Sequence, residues 1–317
     1  MGRRRAVAIC VGLALALTGC APLVETPPRP LSVYASFYPI YALADAVLAN
    51  VPDMALHCLV QPQDGCLRAY RLSDWDAALL ASGADAVIAG GRGLESFEST
   101  LFGWGDKGPA VSAVLYNLEL YNQQEGNVGD SELESHLKGP NPHLYLSIEG
   151  AKHIVESISA MMLSLDPKYA DTYVQNAEAA SERLDALLRQ NRELLAEYDG
   201  RRVILMNEAL IYPARDYGLE VCEWIDRESG ASMGDNELKA VMERLSGTEG
   251  RVILIEKQAP QALVEALEAA GYAAAKLDVL STHREGEGFE RYIEIQIGNA
   301  QAIREAFERA DAGKDDH

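Results

Sequence analysis

Apolar positions along the chain fall into short runs and helical stripes that take turns. Ser32–Phe37 is an apolar run that reads as a strand. Pro39 then opens a helix to about Asn50, with proline in the first turn, where its missing N–H leaves no partner wanting. Met54–Val60 predicts a second strand, and Ser73-Asp74 caps a helix through Leu80. Ala84–Ala89 and Ala110–Tyr116 predict a third and a fourth strand. This alternation predicts an α/β fold with a mostly parallel sheet. Residues 122–139 are polar and rich in Gly, Asp and Glu, keep no apolar period, and read as a mobile loop. From Ser147 to Tyr198 the period is helical, through Ile154, Ile158, Met161, Met162 and Leu165, then Tyr173, Ala177, Ala180, Leu184, Leu187 and Leu188. Asp166-Pro167 should break or kink it. A helical stretch this long between two α/β halves predicts a rigid spine. In the second half, Val203–Met206, Arg251–Ile255 and Ala273–Leu277 read as strands, and Ala259–Ala270 and Ile293–Arg309 as helices. The halves share one strand–helix style without a residue-level repeat.

The N-terminus changes the picture. Arg3-Arg4-Arg5 precedes an apolar run, Ala6–Leu17, too short to span a bilayer and of the length of a signal-peptide core. It ends in Leu17-Thr18-Gly19-Cys20, which resembles the lipobox of bacterial lipoproteins and implies that Cys20 carries lipid as the mature N-terminus. Pro22, Pro27, Pro28 and Pro30 then make a stiff, extended tether. The expected organisation is a signal peptide (1–19), a lipidated Cys with its tether (20–30), an N-terminal lobe (31–146), a spine helix (147–199), a C-terminal lobe (200–310) and a disordered tail (311–317). The expected location is extracytoplasmic, lipid-anchored to the cell membrane, as a monomer. Of 317 residues, 48% are hydrophobic and 24% charged, which fits a folded globular chain. A formal charge of -20 repels phosphate backbones and argues against a nucleic-acid partner. No HExxH, GxSxG or GxxxxGK[ST] signature is present, so the sequence predicts no enzyme.

Six segments, in order, resemble one family. They are "VYASFYPIYAL" (Val33–Leu43), "SGADAVIAGGRGLESF" (Ser82–Phe97), "NPHLYLSIEGAKHI" (Asn141–Ile154), "RRVILMNEALIYPARDYGLEV", "VILIEKQAPQALVEAL", and "KLDVL" followed by "GFERYIEIQIGNAQAIREAF". Together they resemble the TroA-like receptors for zinc and manganese over nearly all of residues 31–308. The resemblance implies two Rossmann-like lobes with a metal held between them, delivered to the permease and ATPase subunits of an ABC importer. Zn2+ is expected, with Mn2+ as the alternative. A surface adhesin or scaffold lipoprotein that has lost the metal, and a metal-dependent hydrolase, are the competing readings.

The resemblance also implies four ligand positions. His143, in Asn-Pro-His, matches the second, and a neutral imidazole suits divalent first-row metals. Asp278, in Leu-Asp-Val-Leu, matches the fourth, at a strand end where α/β sheets place ligands. The first falls on Cys66 where the family has histidine, and the third on Asn207, with Glu208 beside it. Asn is a weak zinc ligand, so Glu208 serves if the loop shifts by one residue. The loop before His143 holds His136 among acids instead of a His-rich run. His283 is an auxiliary candidate; His57 and His153 read as packed or solvated. Two readings stay open for Cys66. It supplies a thiolate to the metal, or it joins Cys58 across a turn containing Pro62 and Gly65, which can bring the two within the roughly 4.4–6.8 Å a disulfide needs. An oxidising compartment favours the disulfide. Cys222 is then left over, on a second-lobe strand.

Overall fold

Each half of the chain builds a four-stranded sheet with the same strand order. The computed structural model describes residues 29–60, 70–116, 141–225, 235–280 and 286–313. In the first half β1 (Leu31–Phe37), β2 (Met54–Val60), β3 (Ala86–Ala89) and β4 (Ala110–Ala113) run parallel in the order β2-β1-β3-β4. In the second half β5 (Arg202–Leu205), β6 (Glu220–Trp224), β7 (Val252–Glu256) and β8 (Ala273–Leu277) run parallel in the order β6-β5-β7-β8. The repeat invisible in the residues is therefore present in the topology. In both sheets the order reverses between the first and third strand of the half, the point at whose carboxyl ends open α/β sheets place their ligands.

Local chemistry accounts for most elements. Helix α1 (Tyr38–Leu48) carries its proline in the first turn and buries Ile40, Leu43 and Val47. Helix α2 (Asp74–Gly83) starts on a reciprocal capping box between Ser73 and Asp76. Strand β4 stops at Ala113, short of the predicted Tyr116, because the Tyr116 N–H turns back to the Ala113 carbonyl. Three helices were not predicted: α3 (Glu98–Gly103) and α6 (Ile211–Asp216), each too short to show a period, and α7 (Asp235–Leu245), although Leu238, Val241, Met242 and Leu245 recur at helical spacing. Strand β6, with two glutamates in five residues, was expected only through Cys222, read as lying on a second-lobe strand, and was given no bounds.

The stretch predicted as one spine helix over 147–199 is two helices, α4 (Ile148–Leu165) and α5 (Ala170–Leu194), with a 3₁₀ turn at Pro167–Tyr169 between them. Pro167 excludes Asp166 from helical backbone (φ -136°, ψ 71°) and the chain reverses instead of kinking. The two helices pack antiparallel, as Lys152 Nζ to Asp185 Oδ1 (2.5 Å) and Ser159 Oγ to the Tyr173 carbonyl (3.3 Å) show. Helix α5 runs between the lobes. Asn176 donates to the Val47 and Ala49 carbonyls (2.9 and 2.8 Å) at the end of α1. About 22 Å further along, at 1.5 Å per residue, Asn191 donates to Tyr217 Oη and the Gln296 carbonyl.

Helix α9 (Phe289–Ala312) returns to the first half, where its Phe289 N–H donates to Asp45 of α1 (3.0 Å). It also takes in Asp311 and Ala312, expected in a disordered tail; Asp311 is held there by both terminal nitrogens of Arg201 (2.9 and 3.1 Å). Strands β5 and β7 are buried on both faces. Val203, Leu205, Val252 and Leu254 enter a core continuous with the first half, while Ile204, Ile253 and Ile255 pack under α7 and α8 (Gln261–Ala269). Residues Leu31–His317 accordingly form one compact unit. Among the described residues no helix is long and apolar enough to cross a membrane.

Candidate metal centre

His143 leads through a 3₁₀ turn, Leu144–Leu146, into α4, whose first turn is capped by Ser147 Oγ accepting from Gly150 N–H (2.9 Å). The imidazole is mostly enclosed, at 16% exposure. Its Nδ1 lies 2.8 Å from Asn141 Oδ1 and 3.6 Å from Glu208 Oε1. Asn141, itself buried, also accepts from the His143 main-chain N–H (3.1 Å) and donates through Nδ2 to the Glu208 carbonyl (2.8 Å). The buried Tyr212 hydroxyl donates to the Asn141 carbonyl.

Asn207 and Glu208 lie just past the carboxyl end of β5. Asn207 Oδ1 accepts from Ala209 N–H (2.7 Å) and caps a 3₁₀ turn, Glu208–Leu210. Its Nδ2 donates to Glu256 Oε1, on the buried last residue of β7. Both ends of the Asn207 amide are thus engaged by protein, and the Glu208 carboxylate is the group turned towards His143. Asp278 follows β8 directly and is buried. Its main chain is clamped by Asn299, which accepts from the N–H (2.8 Å) and donates to the carbonyl (2.9 Å). Oδ1 accepts from Leu280 N–H (3.0 Å), closing a turn in which Leu280 takes a left-handed φ of 61°. Oδ2 is buried without a hydrogen-bond partner among the described residues, and Lys257 Nζ stands 3.7 Å from it.

Of the expected ligands, the structure brings His143 and Glu208 together, turns the Asn207 side chain to Glu256, and places Asp278 beside Lys257. Among the described residues no group of three or more His, Cys, Asp or Glu is arranged to hold a metal. Cys66, Cys20, His136 and His283 lie outside the described residues, and so does the choice between a Cys66 thiolate and a Cys58–Cys66 disulfide. Cys58 lies half-buried on β2, its Sγ 3.4 Å from the Val60 carbonyl. His57 stacks on Tyr34 (4.7 Å between ring centroids), and the exposed His153 meets Glu156 at 3.3 Å, so neither faces the site residues. Asn141, Glu256 and Lys257 were not singled out from sequence. Glu256 had the signal used for Asp278, an acid closing an apolar strand; Asn141 stood inside the Asn-Pro-His motif, but its polarity there marked only a turn.

Two buried carboxylates hold the frame. At the carboxyl ends of β1 and β3, Glu95 accepts from the Ser36 hydroxyl (2.6 Å) and the Gly90 and Gly91 N–H groups (2.7 and 2.9 Å). Burial pushes its carboxyl up against the pull of those donors. Gly91 takes a φ of +83°, and a Cβ there would lie 2.6 Å from that of Ala113, so only glycine lets β3 turn here. In the second half Asp216 accepts from Ser147 Oγ (2.8 Å) and Ile148 N–H (2.5 Å) and fastens α6 to the start of α4. Burial raises its carboxyl to about 6, with the two hydrogen bonds opposing.

Residues 33–306 match the family model described as zinc-uptake complex component A, periplasmic (ZnuA). The chain belongs to the ZnuA family. This bears out the likeness to TroA-like receptors read from the six segments. Among curated relatives, the zinc-binding lipoprotein AdcA of Streptococcus pneumoniae (strain TIGR4) is 25% identical over 304 residues, 92% of this chain and 58% of AdcA. The ZnuA-family chain thus spans little more than half of that relative. The zinc-bound ZnuA-like domain of S. pneumoniae AdcA superposes with a TM-score of 0.71 at 23% identity, covering 87% of this chain and 98% of that domain. FpvC of Pseudomonas aeruginosa in complex with Mn2+ gives 0.72 at 23% identity, covering 87% and 99%. Both likenesses are of fold, and the two-lobed α/β architecture expected from sequence is the architecture of these metal-binding proteins.

Proposed function

We propose that this chain is the metal-capturing receptor of an ABC importer, lipid-anchored through Cys20 outside the cell membrane. It takes up a divalent cation, zinc ahead of manganese, and hands it to the permease and ATPase subunits. The observation that carries the reading is the meeting of His143 with the Glu208 carboxylate at the carboxyl end of β5. An imidazole and a carboxylate side by side suit a first-row dication. Asp278 adds a buried oxygen that has no hydrogen bond among the described residues and an ammonium 3.7 Å away, the surroundings of a group that seeks a cation. Asn207 spends its side chain on a cap and on Glu256, so Glu208 is the ligand of that pair. Cys66 completes the set as a thiolate, or leaves a place for water if it is bonded to Cys58. Nitrogen with one thiolate favours zinc; oxygen alone would favour manganese.

The test is elemental analysis of protein purified without chelator, followed by zinc and manganese titration of the metal-free protein. One equivalent of metal is expected, with zinc the tighter. His143→Ala and Asp278→Ala should each lose most of the binding with unchanged circular dichroism, and Glu208→Gln should lose more than Asn207→Ala. A protein that carries no metal and takes up none points to the adhesin or scaffold reading instead. The reverse ranking at 207 and 208 would make the Asn207 carbonyl oxygen the ligand.

A further inference from the structure

Taking the receptor function above as given, we propose that Asn141 is the positioning residue of the site: it holds His143 as the Nδ1–H tautomer, so that Nε2 faces the captured cation, and ties that ring to the backbone of Glu208. Two neighbours of fixed polarity decide how the amide points. Its Nδ2 is 2.8 Å from the Glu208 carbonyl, which only accepts, and its Oδ1 is 3.1 Å from the His143 main-chain N–H, which only donates. Oδ1 is also the atom 2.8 Å from His143 Nδ1, and an amide oxygen has no proton to give. The ring proton therefore sits on Nδ1. Glu208 Oε1 lies 3.6 Å from the same nitrogen, beyond hydrogen-bond reach, and its negative charge also favours a proton on that side of the ring. A neutral imidazole carries one ring proton, so the lone pair is left on Nε2.

Imidazoles that bind metals generally donate their other N–H to a fixed acceptor, which sets ring orientation and basicity. Asn141 is that acceptor here, and it is well placed to be a rigid one. It is buried, its carbonyl accepts from the buried Tyr212 hydroxyl, and its amide spans from the segment that opens α4 to the segment that leaves β5. Neither leucine nor aspartate reproduces this. Leucine removes both the acceptor and the donor. Aspartate keeps the acceptor for His143 and sets an oxygen against the Glu208 carbonyl.

The test is long-range ¹H–¹⁵N correlation of the ¹⁵N-labelled full-length chain, stripped of metal, at alkaline pH where imidazole is neutral. The His143 signals are assigned by their loss in His143→Gln. The Nδ1–H pattern is expected in the unaltered protein and in Asn141→Asp, and a mixed or Nε2–H pattern in Asn141→Leu. Zinc affinity should fall about 10–100-fold in Asn141→Leu, and less in Asn141→Asp. An Nε2–H ring in the unaltered protein overturns the proposal, and so does an Nδ1–H ring that persists in folded Asn141→Leu. Should the leucine variant not fold, the spectrum of the unaltered protein still decides. The tautomer is read without metal, so a protein with the expected tautomers that binds neither zinc nor manganese refutes the receptor function and leaves the His143–Asn141 assignment standing.

Discussion

Gly150→Ala tests how firmly the fold holds His143. Gly150 is buried in the first turn of α4, one turn after the Leu144–Leu146 segment that carries the histidine. A Cβ there would lie 2.5 Å from both Cγ and Cδ1 of Leu144 and 2.6 Å from the Leu144 carbonyl oxygen. The leucine tip can rotate at some cost, since it is buried; the carbonyl oxygen moves only if the turn moves. Alanine in a helix ordinarily gains roughly 0.5–1 kcal/mol over glycine. Overpacking of a filled core costs roughly 1–3 kcal/mol, and a backbone contact puts this site in the upper part of that range. The balance is a loss of about 1–2 kcal/mol. Urea unfolding followed by circular dichroism should show a lower midpoint with an unchanged slope, and zinc titration should show weaker binding because the His143 turn is displaced. A Gly150→Ala protein more stable than the parent, with parental zinc affinity, would refute the reasoning: the turn would then yield freely and could not be what orients His143.

Asp216 should make stability fall as pH rises. Its carboxyl holds a proton more tightly in the folded chain (about 6) than at its ordinary value of 3.8, so the folded state is favoured below that window and progressively loses the advantage through it. A difference of about two pH units corresponds to about 3 kcal/mol. Urea midpoints from pH 4 to pH 7 should carry this slope in the parent and lack it in Asp216→Asn; parallel profiles would rule it out. Lys257→Met should tighten zinc binding about two- to five-fold, because a half-exposed ammonium 3.7 Å from Asp278 competes with a cation for the same oxygen and such a pair is worth up to about 1 kcal/mol. Weaker binding in that variant would mean Lys257 helps to hold the site together.

Much of this architecture was legible in the sequence because it is local. Short, largely apolar runs mark the parallel strands, so β2 and β8 fall where predicted, residue for residue, although both lie at sheet edges. The Ser73 cap and the Pro167 break are decided within a few residues by backbone donors and by one missing N–H. What Pro167 does to the chain beyond the break is not local. Whether the helix kinks or doubles back depends on what its two apolar stripes find to pack against, and here they find each other. The bounds of strand β6, expected only around Cys222, were hidden for a related reason: at the sheet edge it keeps glutamates that no interior strand would tolerate.

The site divides in the same way. The sequence by itself determined the α/β class, the family likeness, and the candidate positions His143, Asn207, Glu208 and Asp278, because motif spacing and strand ends are written in neighbouring residues. Only the tertiary structure decided what each of them touches. That Asn207 is consumed by a cap and by Glu256, and that Asp278 keeps one oxygen without a hydrogen bond among the described residues, depend on how the strands of the second half lie side by side; that Asn141 reaches Glu208 across 67 positions of chain depends on how the two halves meet. A hydrogen bond is made within about 3 Å and in one direction. Hydrophobic pattern specifies which face of an element turns inward, and leaves the partner of each polar atom to the packing of the whole.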